Sequence, residues 1–115
     1  MKTPFLYIGQ KMSRTTHQWL YDQEIEYVEV SADTPVEKFE HQVFDIFLFF
    51  SPAGIESYRA SGNFPPPSSQ IMVNENKTAQ AAWRYFTNKV HLLDEADELS
   101  FVQYSIARWM KENSK

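Results

Sequence analysis

The chain has 115 residues, 43% of them hydrophobic and 23% charged, which is the size and composition of one globular domain. Its net charge is −4 and its 11 lysine and arginine residues are scattered. We therefore expect neither nucleic acid nor an acidic membrane as a partner. Cysteine is absent, which excludes disulfides, thiolate catalysis and cysteine-ligated metals. The apolar stretch near the N-terminus is too short for a signal peptide, so we expect a cytoplasmic protein.

Five short apolar runs recur along the chain, and each precedes a segment with helical character. The runs cover residues 5–9, 26–30, 44–50, 70–74 and 89–93. The helices are predicted over about 13–23, 35–42, 52–60, 77–87 and 96–112. Strands that alternate with helices indicate a parallel sheet covered on both faces. We therefore predict one flavodoxin-like, three-layer α/β domain over residues 1–115, with a five-stranded parallel sheet in the order 2-1-3-4-5.

The third run carries the clearest local signal. The apolar residues after Asp45 are too few to cross a membrane, and their unbroken run is typical of a strand buried on both faces. Ser51 can then cap a helix whose first position is taken by Pro52. A strand that ends in a helix N-terminus marks the edge of an α/β sheet at which anionic ligands usually bind.

The last two helices have apolar stripes that predict their buried faces. The predicted stripes are Ala79, Ala82, Trp83 and Phe86 on one helix, and Leu99, Val102, Ile106 and Trp109 on the other. Acidic residues crowd the start of the last helix, where they oppose the positive end of its dipole: Asp94, Glu95, Asp97 and Glu98.

Compact catalytic and cofactor motifs are absent from the sequence. There is no Gly-x-Gly-x-x-Gly dinucleotide motif, no phosphate loop ending in Gly-Lys-Ser/Thr and no Gly-x-Ser-x-Gly nucleophile frame. Ser13, Thr15 and Thr16 after the first strand are similar to a flavodoxin phosphate loop, but helix capping explains them equally well. The three histidines lack the spacing of metal ligands, and we expect His17 on an exposed helix face.

Two motifs, in order along the chain, resemble those of uroporphyrinogen-III synthases. FFSPAGI at residues 49–55 resembles the family signature Phe-x-Ser-Pro-Ser-Gly-Val/Leu. NENKTA at residues 74–79 is similar to the family's Ile-Gly-Pro-Thr-Thr-Ala. LYIG at residues 6–9 also resembles the strand that begins the second domain of those enzymes.

This resemblance implies a function in tetrapyrrole (haem) biosynthesis. The family enzymes cyclise hydroxymethylbilane, a linear tetrapyrrole with eight carboxylates, and invert its last ring without a cofactor, in a cleft between two α/β domains. The resemblance covers one of these domains, so it implies a homodimer or a separately encoded partner domain. The substrate-binding residues that it implies are Gly9, Ser51, Gly54, Asn76, Lys77 and Thr78.

The chain also departs from the family pattern. Ser31 stands where the family has a tyrosine implicated in the reaction, and Glu75 replaces the motif glycine. Enzymatic activity is therefore left open. The alternatives are a non-catalytic relative that binds a small anion, and a protein-interaction module that uses Trp19, Tyr58 or the triple-proline loop at residues 65–67.

Overall fold

A computed structural model describes residues 5–9, 11–31, 44–95 and 97–113 of the chain. The strands are β1 (Phe5–Gly9), β2 (Tyr27–Ser31), β3 (Ile46–Phe49), β4 (Gln70–Val73) and β5 (Val90–Leu92). The helices are α1 (Arg14–Asp22), α2 (Pro52–Ala60), α3 (Asn76–Tyr85) and α4 (Glu98–Asn113). All pairings are parallel and the order is β2-β1-β3-β4-β5, so the predicted fold class is confirmed. The helix predicted over residues 35–42 lies outside the described residues.

The helices lie in two layers, one on each face of the sheet. Alternate residues of β1 show the division: Leu6 and Ile8 belong to the core under α2 and α3, whereas Phe5 and Tyr7 belong to the core under α1 and α4. All five residues of β1 are buried, as expected for a strand covered on both faces.

The predicted helix stripes were partly wrong. Trp83 is 58% exposed, and Ala81 is buried on α3 instead. On α4 the fully buried Phe101 was missed, while Val102 and Ile106 are buried as predicted. The error at Trp83 arises because α3 uses small residues for its contact with the sheet, so a large ring at the margin of the stripe projects into solvent.

Helix α2 is delimited by local signals that the sequence contains. The Ser51 hydroxyl accepts a hydrogen bond from the Gly54 N–H at 3.2 Å, and Pro52 occupies the first helical position. At the other end Gly62 adopts a positive φ of 84°, and the N–H of Asn63 reaches back to the Tyr58 carbonyl at 3.3 Å. This is a glycine-terminated Schellman motif.

Gly54 brings α2 unusually close to β1. A Cβ atom at this position would lie 2.9 Å from Ile8 Cγ2 and 3.2 Å from the Ile8 carbonyl oxygen. The start of α2 therefore lies directly on the strand, which fixes the position of this helix N-terminus at the carboxyl edge of the sheet.

We predict that Gly54→Ala destabilises the domain, although alanine is normally the better helix former. The added methyl would lie 2.9 Å from the Ile8 side chain and 3.2 Å from its carbonyl oxygen, and overpacking of this kind costs about 1–3 kcal/mol, more than the 0.5–1 kcal/mol of helix propensity gained. Urea unfolding measures the change. Ala53→Gly, at an exposed position of the same turn, is the control for propensity alone. A more stable Gly54→Ala variant would contradict the close approach.

Candidate functional site

The usual ligand crevice of this strand order is closed by an aromatic ring. In the order 2-1-3-4-5 the crevice lies between the carboxyl ends of β1 and β3. Here the ring of Phe50 packs at 5.4 Å from that of Phe101 and 6.3 Å from that of Tyr7. A Cβ atom at Gly9 would lie only 2.7 Å from Phe50 Cβ. Gly9 is buried, and because it has no side chain it leaves room for Phe50. Its surface is therefore not accessible to a ligand.

The N-terminus of α1, next to this crevice, is occupied by a carboxylate of the chain itself. Glu98 Oε1 accepts hydrogen bonds from the Ser13 N–H at 2.9 Å and the Thr16 hydroxyl at 2.7 Å. Glu98 Oε2 accepts from the Tyr7 hydroxyl at 3.3 Å. Burial and, to a smaller degree, the charge of Glu98 raise the pKa of Tyr7. Ser13 and Thr16, two of the residues that are similar to a flavodoxin phosphate loop, are therefore engaged in helix capping and in hydrogen bonds to Glu98.

Helix α3 begins differently from the other three described helices. α1 is capped by Ser13, α2 by Ser51, and in α4 the Asp97 carboxylate accepts from the Ser100 N–H at 2.9 Å. The N-cap residue of α3, Glu75, makes no side-chain capping hydrogen bond. Asn76 and Lys77, in the first turn, are exposed. Among the described helices, the backbone N–H groups at the start of α3 are thus left without a side-chain acceptor.

A buried polar pair fixes the turn between β4 and α3. Thr78 is fully buried, and its hydroxyl donates a hydrogen bond to Asn74 Oδ1 at 3.2 Å. Asn74 is itself 5% exposed. Since a buried polar group needs a partner, this contact holds the strand end and the first helical turn in a defined relation.

The structure separates the six predicted binding residues into two groups. Three of them, Gly9, Gly54 and Thr78, are buried, and their roles are close packing or support of the turn. Ser51 is half-buried at the start of α2, and only Asn76 and Lys77 are fully exposed at the same edge. The Thr78 hydroxyl is buried and donates to Asn74, and its contact with a ligand stays a prediction of the resemblance.

A second polar cluster was missed in the sequence, at the β2 margin of the sheet. His17 Nε2 lies 3.0 Å from Glu29 Oε1, and His17 Nδ1 is hydrogen-bonded to the Tyr27 hydroxyl. His17 was expected on an exposed helix face; its side chain is 38% exposed, and both of its ring nitrogens have a partner. The signal available was the spacing of Tyr27 and Glu29, which places both on one face of β2.

Comparison with known proteins assigns no family, since no family model and no curated protein sequence matches the chain. Within the described residues, no group of three histidine or acidic side chains is arranged to hold a metal ion. No helix in that same part of the chain is both long and apolar enough to cross a membrane.

We predict that Tyr7→Phe flattens the alkaline loss of stability. The raised pKa keeps Tyr7 protonated in the folded state, while an unfolded tyrosine ionises near pH 10. The contribution of Tyr7 protonation to the free energy of unfolding is therefore complete below about pH 10. Above that pH it is lost at about 1.4 kcal/mol per pH unit. Urea unfolding between pH 8 and about 11 should show a shallower slope in Tyr7→Phe. Tyr21→Phe, at a side chain 77% exposed, is the control, and an identical slope in both variants would contradict the prediction.

We predict that Thr78→Val lowers the free energy of unfolding by about 1–3 kcal/mol, because it leaves the buried Asn74 oxygen without its donor. Thr78→Ser keeps the hydroxyl and should recover much of this loss. Equal stabilities of the valine variant and the wild type, measured by urea unfolding, would show that the pair does not support the turn.

Proposed function

We propose that this protein binds a carboxylate-bearing ligand at the start of α3, as a uroporphyrinogen-III synthase-like protein of tetrapyrrole biosynthesis. The observation that carries the proposal is the N-terminus of α3, which lacks a side-chain cap and exposes Lys77 in its first turn. Free N–H groups and the positive end of a helix dipole favour an anion, and a lysine nearby adds to that attraction.

The position of this helix suits a ligand with several carboxylates. β3 and β4 are neighbours in the sheet, so α2 and α3 begin side by side at its carboxyl edge. The two motifs that resemble the synthase family lie at these two helix starts. Asn76 and Lys77 are exposed at one of these helix starts, and the half-buried Ser51 lies at the other. Hydroxymethylbilane and its cyclic product, with eight carboxylates each, have the required chemistry.

The charge of Glu75 sets a limit on affinity. This exposed carboxylate lies beside the proposed anion site, and Lys77 offsets it only in part. A ligand with many carboxylates compensates for such repulsion because several contacts form at once, whereas a single carboxylate does not.

A second candidate function is binding of a small anion without catalysis. It is favoured by the small accessible area of the site, where Gly9, Gly54 and Thr78 are all buried. It is also favoured by Ser31, which supplies no phenol at the end of β2. On this reading the chain is a non-catalytic relative of the synthases.

An isomer assay on the purified protein separates the two functions. Hydroxymethylbilane is generated in place and the oxidised products are separated into types I and III. Type III above the spontaneous background supports ring inversion by this chain. Type I alone, from protein shown to be folded, supports the non-catalytic relative.

We predict that Lys77→Glu weakens uroporphyrin III binding about tenfold, since it places a second negative charge at the helix N-terminus. Fluorescence quenching of the porphyrin measures the affinity. Lys111→Glu, an exposed position in the last turn of α4, makes the same change in net charge away from the site and should leave the affinity nearly unchanged. Equal loss in both variants would indicate attraction by net charge, and no loss in either would remove the site from α3.

A further inference from the structure

Three side chains on the α1 side of the sheet form a continuous chain of hydrogen bonds. Tyr27 and Glu29 stand two residues apart on β2, and His17 of α1 lies over both. The His17 ring binds the Tyr27 hydroxyl through Nδ1 and Glu29 Oε1 through Nε2, the latter at 3.0 Å. These three hydrogen-bonded side chains lie on the opposite face of the sheet from α2 and α3, so they are separate from the proposed anion site.

Both ends of the hydrogen-bonded chain are held in place. The other carboxylate oxygen of Glu29, Oε2, accepts a hydrogen bond from the Met12 N–H at 2.6 Å. The Tyr27 ring stacks on Phe5, with centroids 5.6 Å apart and planes inclined by 17°. The tyrosine and the carboxylate therefore have defined orientations with the imidazole between them.

The carboxylate determines which nitrogen of His17 carries the proton. An ionised carboxylate only accepts hydrogen bonds, so Nε2 is the protonated nitrogen of the neutral ring. Nδ1 then offers a lone pair, and the Tyr27 hydroxyl donates to it. This order of hydroxyl, imidazole base and orienting carboxylate is the arrangement that activates nucleophiles in covalent catalysis.

We propose that Tyr27 is a nucleophilic tyrosine that accepts acyl groups from activated esters, with His17 as its general base and Glu29 as a positioning residue. The phenol oxygen forms a bond to the ester carbonyl carbon while its proton passes to His17 Nδ1. The leaving group of an activated aryl ester is its aryl oxide, which takes the proton from His17 as the ester bond breaks. The products are an O-acyl tyrosine and a neutral phenol. Water then hydrolyses the acyl tyrosine to a carboxylic acid and returns the free hydroxyl.

The electrostatic surroundings of Tyr27 require a base that removes its proton during the reaction. Burial and the charge of Glu29 raise the pKa of Tyr27, so the phenolate does not accumulate before reaction. The hydroxyl proton of Tyr27 has to leave as the new bond forms. His17 Nδ1 is the group that accepts the hydrogen bond from this hydroxyl. Glu29 then stabilises the imidazolium that results.

The test is site-resolved acetylation of the whole protein by p-nitrophenyl acetate, followed by acid quenching and peptide mass spectrometry. Tyr21 and Tyr104, 77% and 56% exposed, are internal references in the same sample. General-base assistance is worth about 10²–10⁴-fold, so Tyr27 should be acetylated at least about tenfold faster than either reference despite its lower exposure. A rate at or below that of the references overturns the proposal.

Two variants identify the base and the positioning residue. His17→Gln should bring the Tyr27 rate down to that of Tyr21, and an unchanged near-UV circular dichroism spectrum checks that the variant is folded. Glu29→Ala should lower the Tyr27 rate and shift the His17 tautomer in ¹⁵N NMR spectra, and a tautomer shift without a loss of rate would contradict the positioning role of Glu29. A Tyr27 rate that is unaffected by His17→Gln overturns the assignment of the base.

Discussion

The Glu98 carboxylate joins the first strand, the first helix and the last helix of the domain. It receives hydrogen bonds from Tyr7, Ser13 and Thr16, which belong to the strand and to the turn that starts α1. Because the donors include a backbone N–H at a helix N-terminus, the charge of the half-buried Glu98 is stabilised. This contact ties α1 and α4 together over the sheet. It also occupies the turn between β1 and α1, where a ligand would otherwise bind.

The same contact determines where ligands can bind on the molecule. In this strand order the turn after β1 is the ordinary place for an anion, and here Glu98 already accepts from the Ser13 N–H and the Thr16 hydroxyl. Helix α2 is capped by its own Ser51, so the unsatisfied donors shift to the start of α3. The candidate site thus results from the way three other helix starts are completed within the chain, as much as from any residue at α3 itself.

The fold could be predicted from the sequence because its signals are local. The unbroken apolar run after Asp45, the cap at Ser51 and the terminating Gly62 each act over a few residues, and strand order follows from general rules of chain connection. The site was less predictable because it depends on contacts between distant residues. Glu98 and Thr16 are 82 residues apart in sequence, and nothing around either residue indicates the other. For the same reason Thr78 resembled a ligand-binding residue by motif, although the structure turns its hydroxyl toward Asn74.

The ring of Phe50 has a consequence for how this scaffold can change. It fills the crevice at the strand-order reversal, with Phe101 and Tyr7 on its sides and Gly9 beneath it. An aromatic side chain occupies the volume of a small planar metabolite, so loss of this one ring would leave a cavity of that shape beside a helix N-terminus. The crevice at the strand-order reversal is therefore occupied in this domain by one side chain, Phe50, and the helix start beside it by one carboxylate, Glu98.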